Sequence, residues 1–335
     1  MITKAAQMHE DVIIKQTSVN AKKACRHIMQ VNTSNKVLLG ATQGIGNAIL
    51  TTPLIQALGS LKLKVDILKG GFIRGAEKIF EGMPNVKLLD EDEIEGRIYL
   101  LGLQTIWPYP GLEKFVAQLR IAGNIFDMWK AGIPAHEVDV NMSLAYSLKY
   151  EGEIPPLYCH YEPVELPTGA NKKIIGIHVC RKYSHQFYAN RKLVNPYFIA
   201  EALHEEGFEV VMFGHKDSIT DGYKQKYPDF NYFDELTLPQ VAGLVKELDC
   251  VINEDSGIMH VTAAMDTPQV TIFGPTSWMK NRAWSDKAML VRKDIDCLTC
   301  QYTERQSNCY SNICMDVSPS HILKCTKDLL AKFPK

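Results

Sequence analysis

The residues best suited to chemistry lie together in the run Asp255-Ser256-Gly257, with His260 one helical turn further on. A glycine at the start of a helix allows a ligand to approach the backbone closely, and the helix N-terminus carries partial positive charge. We predict that Asp255 and Ser256 cap this helix, because both residue types favour that position. The run is typical of a site for an anion such as a diphosphate. His260 can hydrogen-bond to the same ligand. The alternative interpretation is that His260 is a buried core residue whose hydrogen bonds are satisfied within the protein.

Positive charge for such an anion is available in a loop ahead of this run. Arg181 and Lys182 follow a strand-like segment at 173–179, and Arg191 and Lys192 come shortly after them. Guanidinium and ammonium groups bind phosphate through charge-assisted hydrogen bonds. We therefore predict that Lys192 and Arg181 contact such an anion, with solvated surface charge as the alternative, above all for the arginines.

Four cysteines near the carboxyl end have the spacing of a metal site. Cys297 and Cys300 form a C-x2-C pair, and Cys309 and Cys314 follow within the same polar stretch. Four thiolates can hold Zn or Fe tetrahedrally. A chain with nine cysteines and no export signal is typical of a reducing compartment. We predict a structural metal here, with free thiols or air-formed disulfides as the alternative.

A different motif points to nicotinamide chemistry. The glycine-rich turn at 40–46 follows a strand-like run, and Tyr188 and Lys192 have the Y-x-x-x-K spacing of short-chain dehydrogenases. A catalytic Tyr and Lys at this spacing must share one face of a continuous helix, but Pro196 interrupts helical structure just after Lys192. An NAD(P)-dependent dehydrogenase is therefore an alternative and not the preferred prediction.

Short β-rich runs alternate with helix-like segments along both halves of the chain, which is typical of parallel α/β sheets. Prolines are frequent at 151–170 and oppose regular structure, so we place a connection there. The sequence thus predicts two Rossmann-like domains, 1–165 and 166–318, with an amphipathic closing helix at 319–335. The ligand cleft is expected between the domains, where the carboxyl ends of parallel strands meet. The expected strands are 36–39, 65–68, 86–89, 98–103, 173–179, 209–213, 250–253 and 269–273, and the expected helices are 47–58, 196–206, 238–248 and 258–265.

Composition and charge exclude several classes of protein. The 335 residues are 46% hydrophobic and 22% charged, which excludes disorder and a coiled coil and allows a full core in each domain. A net charge of −1 provides no global field for nucleic acid. The basic segment 1–35 could contact phosphates or an anionic membrane surface peripherally, although a solvated extension is the simpler interpretation. We find no apolar run long enough for a spanning helix or a signal peptide, so we expect a cytoplasmic protein.

The second half of the chain resembles a known family. Its motif begins with Asp255-Ser256-Gly257 and His260, continues through a helix of small residues, Pro268 and a strand, and ends at Gly274-Pro275-Thr276. This pattern is similar to the donor-site signature of glycosyltransferase family 9, the lipopolysaccharide heptosyltransferases. The resemblance extends over about 36–320 and implies a GT-B fold, with a nucleotide-sugar on the second domain and the acceptor mainly on the first.

The resemblance also implies a reaction and roles for particular residues. The reaction is inverting transfer of a sugar from a donor like ADP-heptose to a hydroxyl of the lipopolysaccharide core or another surface glycan, without a catalytic metal ion. By the same resemblance Asn47 and Asp255 are catalytic, Gly46 and Thr51 lie on the acceptor side, and the donor-binding residues are Lys192, Arg181, Ser256, Gly257 and His260.

One residue departs from the family pattern. The family motif has Gly-Asp at the start of the first helix, where the Asp is thought to take the proton from the acceptor hydroxyl, but this chain has Gly46-Asn47. An amide is not basic at neutral pH, so Asn47 can orient an acceptor or cap the helix but cannot be the general base. We expect another carboxylate or histidine to be the base. The alternatives are a nucleotide-sugar-binding protein without catalysis and a glycosyltransferase that modifies nucleic acid held by residues 1–35.

Overall fold

The computed structural model describes residues 34–41, 44–71, 75–116, 118–120, 129, 132–166, 172–180, 191–215, 231–233, 235–301 and 303–335. The chain divides into two compact units, Met1–His160 and Tyr161–Lys335, which we call the first and second units. The predicted basic segment lies outside the described residues except for its last two positions, and so do Arg181, Lys182 and Tyr188.

The first unit contains a parallel sheet with helices in its connections. Its strands are β1 (Lys36–Gly40), β2 (Lys64–Leu68), β3 (Val86–Leu89), β4 (Leu101–Gln104) and β5 (Gln118–Arg120), and its α-helices are α1 (Ile45–Ser60) and α2 (Glu137–Ser147). The sheet order is β3-β2-β1-β4-β5, so the strand order reverses between β1 and β4. In parallel sheets, ligands bind beyond the carboxyl ends of the strands at such a reversal.

Helix α1 is buried on almost every side, from Ala48 to Leu58. Pro53 lies inside it and has no N–H, so the carbonyl of Ile49 loses its usual helical donor. The Thr52 hydroxyl donates to that carbonyl at 2.7 Å and accepts the Tyr158 N–H at 2.9 Å. The proline is tolerated because a neighbouring side chain satisfies the carbonyl, and the same hydroxyl ties α1 to the end of the first unit.

The second unit repeats this architecture with a parallel sheet of six strands. The strands are β6 (Ile174–Val179), β7 (Glu209–Gly214), β8 (Asn231–Phe233), β9 (Cys250–Glu254), β10 (Gln269–Ile272) and β11 (Ala288–Val291), and the helices are α3 (Pro196–Glu205), α4 (Leu238–Glu247), α5 (Gly257–Ala264), α6 (Trp278–Asn281), α7 (Arg305–Asn308) and α8 (Pro319–Lys332). The order β11-β10-β9-β6-β7-β8 reverses between β6 and β9. The predicted site of the second unit follows β9 and therefore lies at this reversal.

Helix α8 completes the core of the second unit. Ile322 and Leu329 of α8 are buried in one apolar cluster with Ile252 of β9, and burying each such side chain stabilises the fold by about 1.5–3 kcal/mol. The Ser318 hydroxyl caps the helix by accepting the His321 N–H at 3.3 Å. The helix lies where its amphipathic pattern predicts it.

The α/β class and the paired Rossmann-like architecture are as the sequence predicts, but the strand expected at 98–103 begins at Leu101. Arg97 and Tyr99 both direct their side chains to the buried carboxylate of Asp66, at 3.4 and 3.0 Å. Ile98 between them therefore points outward and is 72% exposed. The apolar character of Ile98 suggested a strand, but the contacts of Arg97 and Tyr99 with Asp66 determine the backbone conformation here.

Residues 151–166, in the proline-rich stretch, form neither helix nor strand. Among the residues described, we find no helix with the length and apolar character that crossing a membrane requires.

Candidate functional site

The predicted anion site lies at the carboxyl end of β9. Ser256 occupies the N-cap position of α5 and Gly257 is the first helical residue, but no side chain of the described residues caps this helix. Ser256 therefore occupies the predicted capping position, but neither its side chain nor that of Asp255 makes the predicted capping hydrogen bond. Gly257 remains half-buried at the helix N-terminus, where the backbone dipole favours an anion. His260 lies one turn further on and is 3% exposed.

Asp255 is held by two partners from other parts of the second unit. It is 3% exposed. Its Oδ2 accepts a hydrogen bond from Arg191 Nη1 at 3.1 Å, and its Oδ1 accepts one from Asn281 Nδ2 at 3.2 Å. These contacts explain why the carboxylate does not turn back to cap α5. They also fix a guanidinium group close to the residues that open the helix, which adds positive charge there.

Lys192 lies beside this pair and is half-buried. Its carbonyl accepts a hydrogen bond from Asn312 Nδ2 at 3.1 Å. Asn312 stands between Cys309 and Cys314 in the chain, so this bond connects the lysine loop to the cysteine-rich segment. Arg181, the other predicted cation, lies outside the described residues.

Of the four predicted metal ligands, Cys314 packs directly against the Gly274-Pro275-Thr276 turn. Burial, with the neighbouring thiols of Cys300, Cys309 and Cys297 as lesser causes, raises the pKa of Cys314 to about 11. The turn itself is bonded to the C-x2-C segment, because the Thr299 and Gln301 N–H groups donate to the carbonyls of Gly274 and Pro275 at 3.4 and 2.8 Å.

Gly274 allows this close packing. A Cβ at Gly274 would lie 2.7 Å from Cys314 Sγ and 2.6 Å from Met315 Sδ. Real Cβ contacts are essentially never this short, so glycine permits the cysteine-rich segment to sit directly against the turn. The segment therefore supports two predicted donor-side elements, the loop at Lys192 and the turn after β10.

A second group of ligand-type side chains is tighter and was not predicted. Among the described residues, His178, Cys180 and Glu254 offer ligand atoms that all lie within 4.8 Å of one another. The four clustered cysteines, which are also among those described, do not form a group by this distance criterion. The Cys180 N–H donates to Glu254 Oε1 at 2.8 Å. Burial lowers the pKa of His178 to about 3 and raises the pKa of Glu254 to about 7. It also raises the pKa of the Cys180 thiol well above its usual value. Burial therefore favours the neutral form of each of these three groups.

In the first unit, the predicted acceptor-side residues lie in the opening turn of α1. The N-cap position belongs to Gly44, so the interpretation of Asn47 as an N-cap is wrong. Gly46 and Asn47 are half-buried helical residues. Thr51 directs its hydroxyl to the Asn47 carbonyl at 2.9 Å and is buried. Its hydroxyl is therefore engaged within the helix.

The side chain of Asn47 meets a carboxylate from the start of α2. Asn47 Nδ2 donates to Glu137 Oε2 at 2.8 Å, and the Trp107 indole N–H donates to the same oxygen at 3.4 Å. Glu137 is 1% exposed. Trp107 follows β4 and Asn47 follows β1, so the three side chains gather where the strand order of the first sheet reverses. The first unit thus places a buried carboxylate against the residue that departs from the family pattern.

Sequence reasoning missed Glu137 and Glu254 for different reasons. Glu137 is separated from Asn47 by 90 positions, and an isolated glutamate at a helix start carries no signal of a distant partner. Glu254 is adjacent to the recognised motif and ends a strand that is buried throughout, which is unusual for a charged residue. That position could have been noticed from the sequence.

Comparison with known proteins supports the predicted resemblance. Residues 166–311 match the family model described as glycosyltransferase family 9 (heptosyltransferase). This region contains the donor-side motif, the Arg191–Asp255 pair and three of the four clustered cysteines. The resemblance to glycosyltransferase family 9 is therefore confirmed.

The curated relatives are heptosyltransferases. Lipooligosaccharide heptosyltransferase 2 of Haemophilus influenzae is 26% identical over 161 residues, which are 45% of this chain and 44% of that protein. Lipooligosaccharide heptosyltransferase 2 of Campylobacter jejuni is 22% identical, over 88% of this chain and 98% of that protein. The chain thus spans less than half the length of the first relative and almost all of the second.

Solved structures share the fold over most of the chain. A family 9 glycosyltransferase from Veillonella parvula aligns with a TM-score of 0.66 and 14% identity, over 89% of this chain and 97% of that one. ADP-heptose lipopolysaccharide heptosyltransferase II of E. coli aligns at 0.59 and 16%, over 89% and 98%. The iron-containing dodecameric glycosyltransferase TibC of E. coli aligns at 0.56 and 14%, over 89% and 76%. The predicted α/β GT-B fold class is confirmed.

Proposed function

Starting from the confirmed resemblance to glycosyltransferase family 9, we propose that this protein is an inverting glycosyltransferase that uses a nucleotide-sugar like ADP-heptose. The observation that carries the proposal is the donor-side motif within the matched region, with a guanidinium fixed by Asp255 at the start of α5. The names of the relatives and of the E. coli structure support ADP-heptose as donor and a lipopolysaccharide-type glycan as acceptor.

The donor diphosphate would be bound by backbone and side-chain groups of the second unit. When the bond to the sugar breaks, negative charge develops on the departing nucleoside diphosphate, and fixed donors and cations stabilise that charge. Gly257 at the N-terminus of α5, Arg191 and Lys192 supply them. Asp255 acts in this proposal as a positioning residue, because both of its oxygens already bind Arg191 and Asn281. Ser256 and His260 complete the predicted donor contacts, and no catalytic metal ion is required.

The acceptor would bind on the first unit near the opening turn of α1. Gly46 lies in this turn, and Asn47 offers an amide to an acceptor hydroxyl. Thr51 contributes indirectly, because its hydroxyl donates to the Asn47 carbonyl and stiffens the turn.

Donor binding can be measured directly by thermal unfolding with ADP, ADP-heptose, UDP-glucose and NAD. A ligand present at ~100 times its dissociation constant stabilises the folded state by ~2.7 kcal/mol. We expect the adenosine diphosphate compounds to raise the melting temperature, and Lys192→Ala to weaken that shift while the exposed control Lys324→Ala leaves it intact. The absence of any shift with ADP and ADP-heptose would refute the donor assignment, and a shift with NAD alone would favour the dehydrogenase.

The four clustered cysteines would hold a structural Zn or Fe ion. Two observations support this site: the thiols of Cys300, Cys309 and Cys297 contribute to the raised pKa of Cys314, and the solved neighbour TibC is described as iron-containing. Bound metal would fix the segment that supports the lysine loop and the turn at Gly274.

Elemental analysis of protein purified under reducing conditions tests this site. We expect about one metal ion per chain, lost in Cys297→Ser/Cys300→Ser and kept in the control Cys325→Ser, whose thiol lies on α8. Metal that disappears in Cys180→Ser instead would place the ion at the His178, Cys180 and Glu254 group.

A further inference from the structure

We propose that Glu137 is the general base that takes the proton from the acceptor hydroxyl. This inference rests on the proposed glycosyltransferase function and names a residue for its chemical step. Among the described residues, Glu137 is the carboxylate in hydrogen-bond contact with Asn47, the position where the family has an acid. In this protein the base would therefore not be position 47 in α1 but the residue hydrogen-bonded to it, Glu137, at the start of α2.

The contacts of Asn47 determine how its amide is oriented. A carboxylate oxygen accepts hydrogen bonds, so the group of Asn47 that faces Glu137 must be the donor, Nδ2. The distance is 2.8 Å. The amide oxygen of Asn47 then remains as an acceptor for a hydroxyl. Asn47 can therefore hold the acceptor while the adjacent carboxylate receives the proton.

Glu137 also has the electrostatic setting of an anionic base. It is the first residue of α2, and the partial positive charge of a helix N-terminus favours a negative side chain. Two N–H donors converge on its Oε2, from Asn47 and from the Trp107 indole. All three side chains come from one compact unit, so the arrangement does not depend on where the second unit lies.

For an acceptor hydroxyl to reach the Glu137 carboxylate, the hydrogen bond from Asn47 or the one from Trp107 must break. Glu137 is 1% exposed, so a hydroxyl reaches Oε2 by replacing a present donor. The Trp107 contact, at 3.4 Å, is the longer of the two, and Trp107 is half-buried in the loop after β4. We expect the acceptor to replace the indole and Asn47 to keep its bond.

The step balances as a displacement at the anomeric carbon. The acceptor O–H bond breaks as its proton moves to Glu137, and the acceptor oxygen forms a bond to the anomeric carbon. The bond from that carbon to the diphosphate oxygen breaks, and its electron pair leaves with the nucleoside diphosphate. Glu137 then returns the proton to solvent, so no oxidant or further reactant is needed.

The variant Glu137→Gln separates basicity from geometry. A glutamine carbonyl can still accept from Asn47 and Trp107, but it cannot take a proton. With ADP-heptose and a deacylated lipopolysaccharide core oligosaccharide, we expect kcat to fall by about 100- to 10,000-fold and the acidic limb of the pH–rate profile to disappear. Stabilisation by ADP should stay unchanged, as should kcat in the exposed control Glu95→Gln.

A double variant tests whether the two positions share one role. Asn47→Asp/Glu137→Gln exchanges the acid and the amide within the pair, and we expect it to be more active than Glu137→Gln. A folded double variant no more active than the single one would overturn the proposal. So would a Glu137→Gln protein with kcat within tenfold of the wild type and the acidic limb intact.

The same assays separate this inference from the proposed function. If the wild type neither binds ADP-heptose nor transfers its sugar, the glycosyltransferase assignment fails and the inference fails with it. If the wild type transfers the sugar and Glu137→Gln does so equally well, the function stands and only the role of Glu137 is refuted.

Discussion

The two units place a buried glutamate at the same point of similar sheets, where the strand order reverses, but they satisfy it differently. In the first unit, Glu137 Oε2 accepts from the side chains of Asn47 and Trp107. In the second unit, Glu254 accepts the backbone N–H of Cys180, and burial raises its pKa to about 7. Glu137 begins a helix and accepts from two side chains, whereas Glu254 ends a strand and accepts from the backbone.

This difference indicates that the hydrogen-bond partners of a carboxylate, and not its position in the sheet alone, determine its role. Asp255, directly after Glu254, is occupied on both oxygens by Arg191 and Asn281 and serves to fix a cation. Glu137 Oε2 instead accepts hydrogen bonds from Asn47 and from Trp107. The second unit therefore fixes a guanidinium group beside its motif, and the first unit holds a carboxylate that we propose to be the base.

The largest expected effect tests the claim that Asp255 fixes a buried cation. Asp255→Ala removes the carboxylate that is hydrogen-bonded to Arg191, and breaking a buried ion pair from one side costs about 3–5 kcal/mol of unfolding free energy. We also expect loss of ADP binding. The measurement is the unfolding free energy in urea of Asp255→Ala and of the control Glu206→Ala. The exposed Glu206–Lys327 pair should contribute less than ~1 kcal/mol, so the control should lose much less stability. Equal losses in the two variants would show that Asp255 is not an anchor.

A pH series tests the contrast between the two glutamates. A carboxyl whose pKa is higher in the folded protein than in the unfolded chain binds more protons when folded, so stability falls as the pH rises between the two values. For Glu254 the window runs from 4.5 to about 7, and the full loss is on the order of 3 kcal/mol.

Glu254→Gln isolates this contribution, because His178 titrates in the opposite sense. Its pKa is lowered to about 3 from 6.5, so its contribution rises with pH over that range. The difference in unfolding free energy between wild type and Glu254→Gln should therefore change across the window. Parallel curves for the two proteins would contradict the burial of a neutral Glu254.

The smallest expected effect comes from restoring the family's acid at position 47. Asn47→Asp brings two carboxylates to within 2.8 Å and removes a donor from a buried acceptor, which costs about 1–3 kcal/mol at neutral pH. Adding Glu137→Gln should recover most of this loss. Acid pH should also reduce it, because one of the two groups becomes protonated. A stable Asn47→Asp protein would show that Glu137 and position 47 do not interact.

Much of the fold was predictable because its signals are local. Apolar runs bounded by turn residues predicted the strands from β1 to β10 that the sequence analysis named, and the amphipathic spacing of Ile322 and Leu329 predicted α8. The donor-side motif was equally local, since Asp255, Gly257 and His260 lie within six positions of one another. The sequence also showed, without any structure, that Asn47 could not be a base.

The partners of those residues were decided by tertiary structure alone. The sequence predicted that Asp255 caps α5 and left capping of α1 as an alternative for Asn47, but Asp255 binds Arg191 from 64 positions away and Asn47 binds Glu137 from 90. A short polar side chain caps a helix when nothing stronger is near. In both units the packing of the sheet brings a charged group closer, and a charge-assisted hydrogen bond is about twice as strong as a neutral one.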